Sequence, residues 1–232
     1  MRRVDWQKSY RIIASRHPPI ALFERVSMDP AIQDALVKLE MAVNPRLRNE
    51  IGQIALVPVE DRVSGPGAGY VMASFTHVNP KGSRFSDGSY GVYYAASDLG
   101  TALSETIFHF EEFAKDATDP VRSEDMRVLV GKIDHDFTEI SALAPEFQAK
   151  LLAPNSYVVA RTFAREIRDA GSPGVVYPSV RNTGGECVGA FKPNAVGLPV
   201  QERHLQYHWN GDRVDRYFDY LDDRWVEWRG TP

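Results

Sequence analysis

Between Gly82 and Phe113 the chain carries a guanidinium and a carboxylate, Arg84 and Glu105, separated by a short apolar stretch. Glycines at 82, 88 and 91 permit backbone geometry and close ligand approach that other residues resist. The planar fork of Arg84, set among them, suits a phosphate better than any other side chain. Glu105 falls on a helical pattern whose apolar stripe is Leu99, Ala102, Leu103, Thr106, Ile107 and Phe110. It projects from the flank of that stripe near Ala102, which leaves its carboxylate half sheltered. A functional acid is useful there; a solvated helix-surface glutamate is the plain alternative. For Arg84 the plain alternative is a solvent-facing charge.

Elements must hold these groups in place. Residues 92–96 are apolar and aromatic enough for a strand, and Ser97 or Asp98 can cap the helix that follows. Upstream, residues 5–15 read as a short amphipathic helix, 20–26 as a first strand, and Asp29-Pro30 as a helix start. That helix carries Ile32, Ala35, Leu36, Leu39 and Val43 and breaks at Asn44-Pro45; a second is expected over 46–55. The glycines around Pro66 make a flexible loop, but no Lys-Ser or Lys-Thr follows as a P-loop requires. Residues 70–77 read as a strand.

Downstream, a strand is expected over 127–133 and a short helix over 145–152. Asn155 is read as the cap of a longer helix whose inner face is Val158, Val159, Thr162, Phe163, Glu166 and Ile167. Gly171 and Pro173 end that helix in the expected order. Strands over 174–180 and 187–191 enclose a Gly-Gly loop, and 205–209 with 214–218 flank Asn210-Gly211 as a hairpin. Strands mixed with helices of unequal length indicate an α+β fold. The expected arrangement is one domain over 1–232, with 1–69 as a partly helical N-terminal extension packed on the core 70–232.

Composition narrows the classes. The 232 residues are 43% hydrophobic and 25% charged, ordinary for a globular chain. A net charge of −4 gives no support to direct nucleic-acid binding. The single cysteine, Cys187, excludes an internal disulfide framework and suits a reducing compartment. Without a signal-peptide h-region or an apolar run of membrane length, a cytoplasmic location is expected. His204 and His208 have the spacing of a metal pair, but no third ligand accompanies them and the segment reads as strand, so no metal is expected. His109, one turn beyond Glu105, is read as a core-edge histidine or a neighbour of the site. Trp209, Trp225 and Trp228 are expected to pack a C-terminal β layer or an oligomer interface, which leaves a homodimer open.

The ordered set Gly-x-Arg-Phe, a tyrosine ten residues on at Tyr94, Glu105 eleven further, and a distant Tyr177-Pro178-Ser179 resembles the RES domain family. The segment 174–188 is similar to that family's C-terminal block, and Phe23-Glu24-Arg25-Val26 to its opening strand. Ser83 and Ser86 stand where the family usually carries glycine and asparagine. The resemblance implies an ADP-ribosyltransferase-like mixed β core with flanking helices and an N-terminal helical extension. It also implies an enzyme that consumes NAD+ as substrate, with no separate cofactor, and in many members a toxin blocked by an Xre-type antitoxin.

Under that resemblance, cleavage of the nicotinamide–ribose bond develops oxocarbenium character, so negative charge is wanted beside the sugar. Glu105 is the candidate for it, and Arg84 would hold phosphate, with Arg25 as a second cation. Tyr94 offers a flat ring for nicotinamide or ribose, against the alternative of an interior strand tyrosine. Ser179 would hydrogen-bond the nicotinamide amide or a ribose, against an ordinary turn serine; no histidine–acid pair is placed to make it a nucleophile. Water or phosphate is the expected acceptor of ADP-ribose. ADP-ribosyl transfer to a protein and a non-catalytic interaction module of the same fold are the competing readings.

Overall fold

The computed structural model describes residues 1–17, 52–117 and 120–230, together with Ile32, Ala35 and Lys38. The strand expected over 20–26, with Arg25, and most of the helices expected over 29–43 and 46–55 lie outside the described residues; Ile32, Ala35 and Lys38 are helical, and Ile54–Leu56 is a 3-10 turn.

The chain is α+β, built on eight strands in the order β1-β2-β5-β4-β3-β6-β7-β8, with β1 also paired to β3. These are β1 (Arg2–Ala14), β2 (Tyr93–Ala96), β3 (Arg122–Glu139), β4 (Gly174–Pro178), β5 (Glu186–Ala190), β6 (Val200–Trp209), β7 (Val214–Asp219) and β8 (Arg224–Glu227). The extra pairing closes the first five strands in that order into a ring, and β6 to β8 continue outward from β3. All pairings are antiparallel except β3 with β4. The helices are α1 (Ala68–Thr76), α2 (Leu99–Asp116), α3 (Pro145–Leu151) and α4 (Val158–Asp169).

Two segments differ from their sequence patterns. The helix expected over 5–15 is strand β1, whose alternation is interrupted by an irregularity between Trp6 and Ser9. The interruption puts Val4, Ser9 and Ile12 inward at uneven intervals, which imitates helical spacing. The strand expected over 70–77 is helix α1. Its buried Ala68, Val71, Met72 and Phe75 recur at helical intervals, and that period outweighs the β-favouring residue types.

α2, α3, the strands over 127–133, 174–180 and 187–191, and the C-terminal hairpin fall where the sequence puts them, with β3 much longer than expected. α4 is capped at Tyr157 rather than Asn155. Its buried residues are Ala160 and Ala164, while Val158 is 71% exposed and Thr162 and Glu166 face solvent. Small alanines let the helix approach closely, and Val159, Phe163 and Ile167 of the expected stripe pack partly buried beside them.

The core lies on both faces of the sheet. On one, α2 and α4 cover Ile12, Val128, Leu205 and Trp209; on the other, α1 covers Val4, Tyr93, Ile133 and Phe137. Tyr93 and Tyr94 therefore point to opposite faces, as strand alternation demands. Trp209 is buried, whereas Trp225 is 44% exposed.

Candidate active site

A cleft of about 690 Å³ opens where β1 meets β2, a junction with a single register pair, Tyr10 opposite Ala96. Arg84, Tyr94, Glu105, Tyr177, Cys187 and His109 are among the residues that line it.

Helix α2 aims the carboxylate. Asp98 caps it, accepting the Thr101 N–H at 2.8 Å and the Thr101 hydroxyl at 2.6 Å. Ala102, Leu103 and Ile107 seat the helix in the core, which leaves Glu105 at the cleft wall. The Ser179 hydroxyl donates to Glu105 Oε1 at 2.6 Å. Ser179 Oγ itself accepts the N–H groups of Arg181 and Asn182 at 3.1 and 3.0 Å. Those two donors occupy its lone pairs, so its one proton is committed to Glu105. Among the described residues Oε2 of Glu105 has no partner. The loop that presents Ser179 is tied to α2 through Asn182 Nδ2 and Thr101 Oγ1, 2.8 Å apart. A Cβ at Gly185 would come within 2.2 Å of that same threonine oxygen, which explains a glycine there.

Arg84 lines the same cleft from the loop before β2. It is 9% exposed, its Nη1 donates to the carbonyls of Leu151 and Ala153 at 3.2 and 2.8 Å, and its carbon lies 4.6 Å from the centre of the Tyr157 ring. No carboxylate pairs with it among the described residues, and its Nε and Nη2 make no hydrogen bond there. A buried cation without a counter-ion is costly unless an anion completes the site.

The Arg84 loop is fastened on several sides. Tyr94 Oη receives the Phe85 N–H at 3.0 Å and shares a proton with Ser83 Oγ at 2.7 Å. Tyr90 Oη donates to the Phe85 carbonyl at 2.7 Å, and Ser86 Oγ to the Tyr90 carbonyl at 2.5 Å. Arg161 of α4 donates to the carbonyls of Ser83 and Lys81, both at 2.9 Å. Ser83 and Ser86 thus supply the loop's own bonds. Burial pushes the Tyr94 phenol up to about 12, so it stays neutral. Its hydroxyl is spent on the loop, and its ring is what it offers the cleft.

The structure brings Arg84, Tyr94, Glu105 and Ser179 to one cleft. It adds Arg11, which the helical reading of 5–15 concealed. Arg11 lines the cleft from β1, donates from Nη1 to the Tyr94 carbonyl at 2.9 Å, and stacks over Tyr93 at 4.7 Å. Its Nε is buried with no hydrogen-bond partner. The signal available in the sequence was the triplet Tyr10-Arg11-Ile12, a cation between apolar residues at strand spacing. Tyr157, which carries Arg84, was also missed. His109 lines the cleft instead of the core edge. Desolvation by the cleft walls holds its imidazole below its ordinary value; Glu105 opposes this, while Arg181 and Arg84 add to it. Cys187 is 3% exposed, and burial, then the Glu105 charge, raises its thiol well above the usual range.

His204 and His208 hold no metal pair: His204 Nε2 lies 2.8 Å from Gln201 Nε2, and His208 Nδ1 2.7 Å from Asp215 Oδ1. No cluster of histidine, cysteine and acids suited to a metal occurs among the described residues. No helix among them is long and apolar enough to cross a membrane.

The fold is a mixed sheet with helices on both faces, and its cleft is lined by an arginine and a glutamate. The RES domain matches residues 60–210, and the chain belongs to that family. Over 213 residues it is 27% identical to the uncharacterized protein y4oC of Sinorhizobium fredii, spanning 92% of this chain and 87% of that one. The crystal structure of the M. tuberculosis MbcT–MbcA toxin–antitoxin complex superposes with a TM-score of 0.44 at 9% identity, over 90% of this chain and 87% of that chain.

Proposed function

We propose that the protein degrades NAD+ by cleaving the nicotinamide–ribose bond and passing ADP-ribose to water or phosphate. The observation that carries this is the Glu105 carboxylate, held through one oxygen by Ser179 at the wall of the cleft that Arg84 also lines. As the C–N bond breaks, its electron pair leaves with nicotinamide and positive charge develops on the ribose. A fixed carboxylate is worth most at that moment, because it needs no reorganisation. Arg84 and Arg11 offer cationic contacts suited to a pyrophosphate, and the Tyr94 ring offers a flat wall for a ring system.

Membership of the RES family supports the toxin role. In a toxin–antitoxin pair the partner would be an Xre-type antitoxin that covers this cleft. The experiment is product analysis after incubation with NAD+, with and without inorganic phosphate, beside Glu105→Gln and Arg84→Ala. The wild type is expected to release nicotinamide, and Glu105→Gln to lower kcat by about 10²–10³. The accompanying product names the acceptor, ADP-ribose for water and its 1″-phosphate for phosphate. A folded wild type that releases no nicotinamide would overturn the reading.

A further inference from the structure

We propose that His109 is the general base of this site, taking a proton from the water that accepts ADP-ribose; this rests on the reading of the cleft given above. The chemistry leaves one proton to manage. Nicotinamide departs with the electron pair of the broken C–N bond and needs no acid. Water attacking the same carbon forms a C–O bond and must lose a proton. Glu105 is committed to another task, its Oε1 held by the Ser179 hydroxyl and its charge directed at the sugar.

The other cleft residues do not fit. Arg84 and Arg11 carry guanidinium groups, which are donors only and offer no acceptor for a proton. Burial keeps the phenols of Tyr94 and Tyr177 and the thiol of Cys187 protonated. Already protonated, none of the three is in the form that takes a proton from water.

Position selects His109 from what remains. Along α2 the wall runs outward from Ala102, 5% exposed, through half-buried Glu105 to exposed His109 and Glu112. A water entering from solvent therefore meets the imidazole one helical turn before it reaches the carboxylate, and Glu112 stands a further turn out. The charged groups facing His109 are Glu105 and Glu112 from its own helix, Arg181 from the loop after β4 and Arg84 from the loop before β2. The neutral imidazole is the form that accepts, and partial desolvation at the exposed rim of the cleft, with the two arginines, favours it against the opposing charges of Glu105 and Glu112. The step balances: one water O–H breaks, its proton passes to a ring nitrogen, the C–O bond forms, and the proton later returns to solvent.

A phosphate dianion brings an anionic oxygen and needs no base, so the two acceptors separate the roles. Full-length wild type, His109→Gln and His109→Ala are compared from pH 5 to 9 with NAD+, with and without inorganic phosphate. Folding is verified by circular dichroism. The expected result is a fall of about 10²-fold in ADP-ribose formation, with KM for NAD+ unchanged, the near-neutral limb of the pH profile lost, and formation of the 1″-phosphate retained. Variants that hydrolyse at the wild-type rate, keep that limb, or lose both products equally would overturn the assignment. So would a wild type that makes only the 1″-phosphate. A wild type that releases no nicotinamide overturns the underlying reading as well, and it shows before any variant is needed.

Discussion

A carboxylate anchored by one oxygen is a charge with an address, and Ser179 supplies the anchor. Removing that hydroxyl leaves Glu105 in the cleft but free to rotate. Ser179→Ala is therefore expected to lower kcat about tenfold to a hundredfold with KM nearly unchanged, the signature of lost positioning rather than lost binding. Arg11 belongs on the other side of that division. Its guanidinium, held by the Tyr94 carbonyl and stacked on Tyr93, sets a fixed positive charge at the cleft wall. Arg11→Met keeps the length and the packing on Tyr93 but removes the charge; steady-state kinetics should show KM for NAD+ raised about tenfold with kcat little changed. Arg84, Glu105 and Ser179 could be singled out in the sequence because each is flanked by punctuation: glycines around the arginine, a cap before the helix, a proline before the serine; Tyr94 was placed only by the family spacing. Arg11 had no such marker, and the irregularity between Trp6 and Ser9 disguised the strand that carries it.

At the scale of elements, α2 is the part whose placement matters most, and its first turn is secured by Asp98. Removing a cap of this kind costs about 1 kcal/mol, so Asp98→Ala is expected to lower the Tm by about 2–4 °C. Desolvation opposes ionisation of Asp98, but the Thr101, Ser97 and Gly100 hydrogen bonds prevail and hold its carboxyl below the ordinary 3.8. A carboxyl depressed in the folded state stabilises above its unfolded value and loses that contribution as pH falls through the folded one. The Tm difference between wild type and Asp98→Ala should thus be full at pH 6 and shrink below pH 3.8 in thermal scans. α2 was readable because cap and stripe agree. α1 was not, because Tyr70, Val71, Phe75 and Thr76 favour strands by type while their spacing is helical, and the spacing prevailed once Met72 and Phe75 had a sheet face to pack on.

For the molecule as a whole, the α+β class could be read from the sequence, but the ring of five strands could not. Closure depends on β1 lying along β3, a partner more than a hundred residues away, and local patterns carry no record of such pairings. Cys187, opposite Ala96 of β2 and Tyr177 of β4, sits within that ring at the floor of the cleft. It is the molecule's sole thiol. A buried, protonated thiol reacts only when its surroundings open, so its rate of alkylation is a clock for the breathing of the cleft. In Glu105→Gln, where NAD+ would bind without being consumed, saturating NAD+ should slow labelling of Cys187 by a neutral maleimide severalfold. Unchanged labelling would place the ligand elsewhere. The chain thus carries a native footprinting probe, and occupancy can be followed by the mass added at Cys187 without introducing a cysteine.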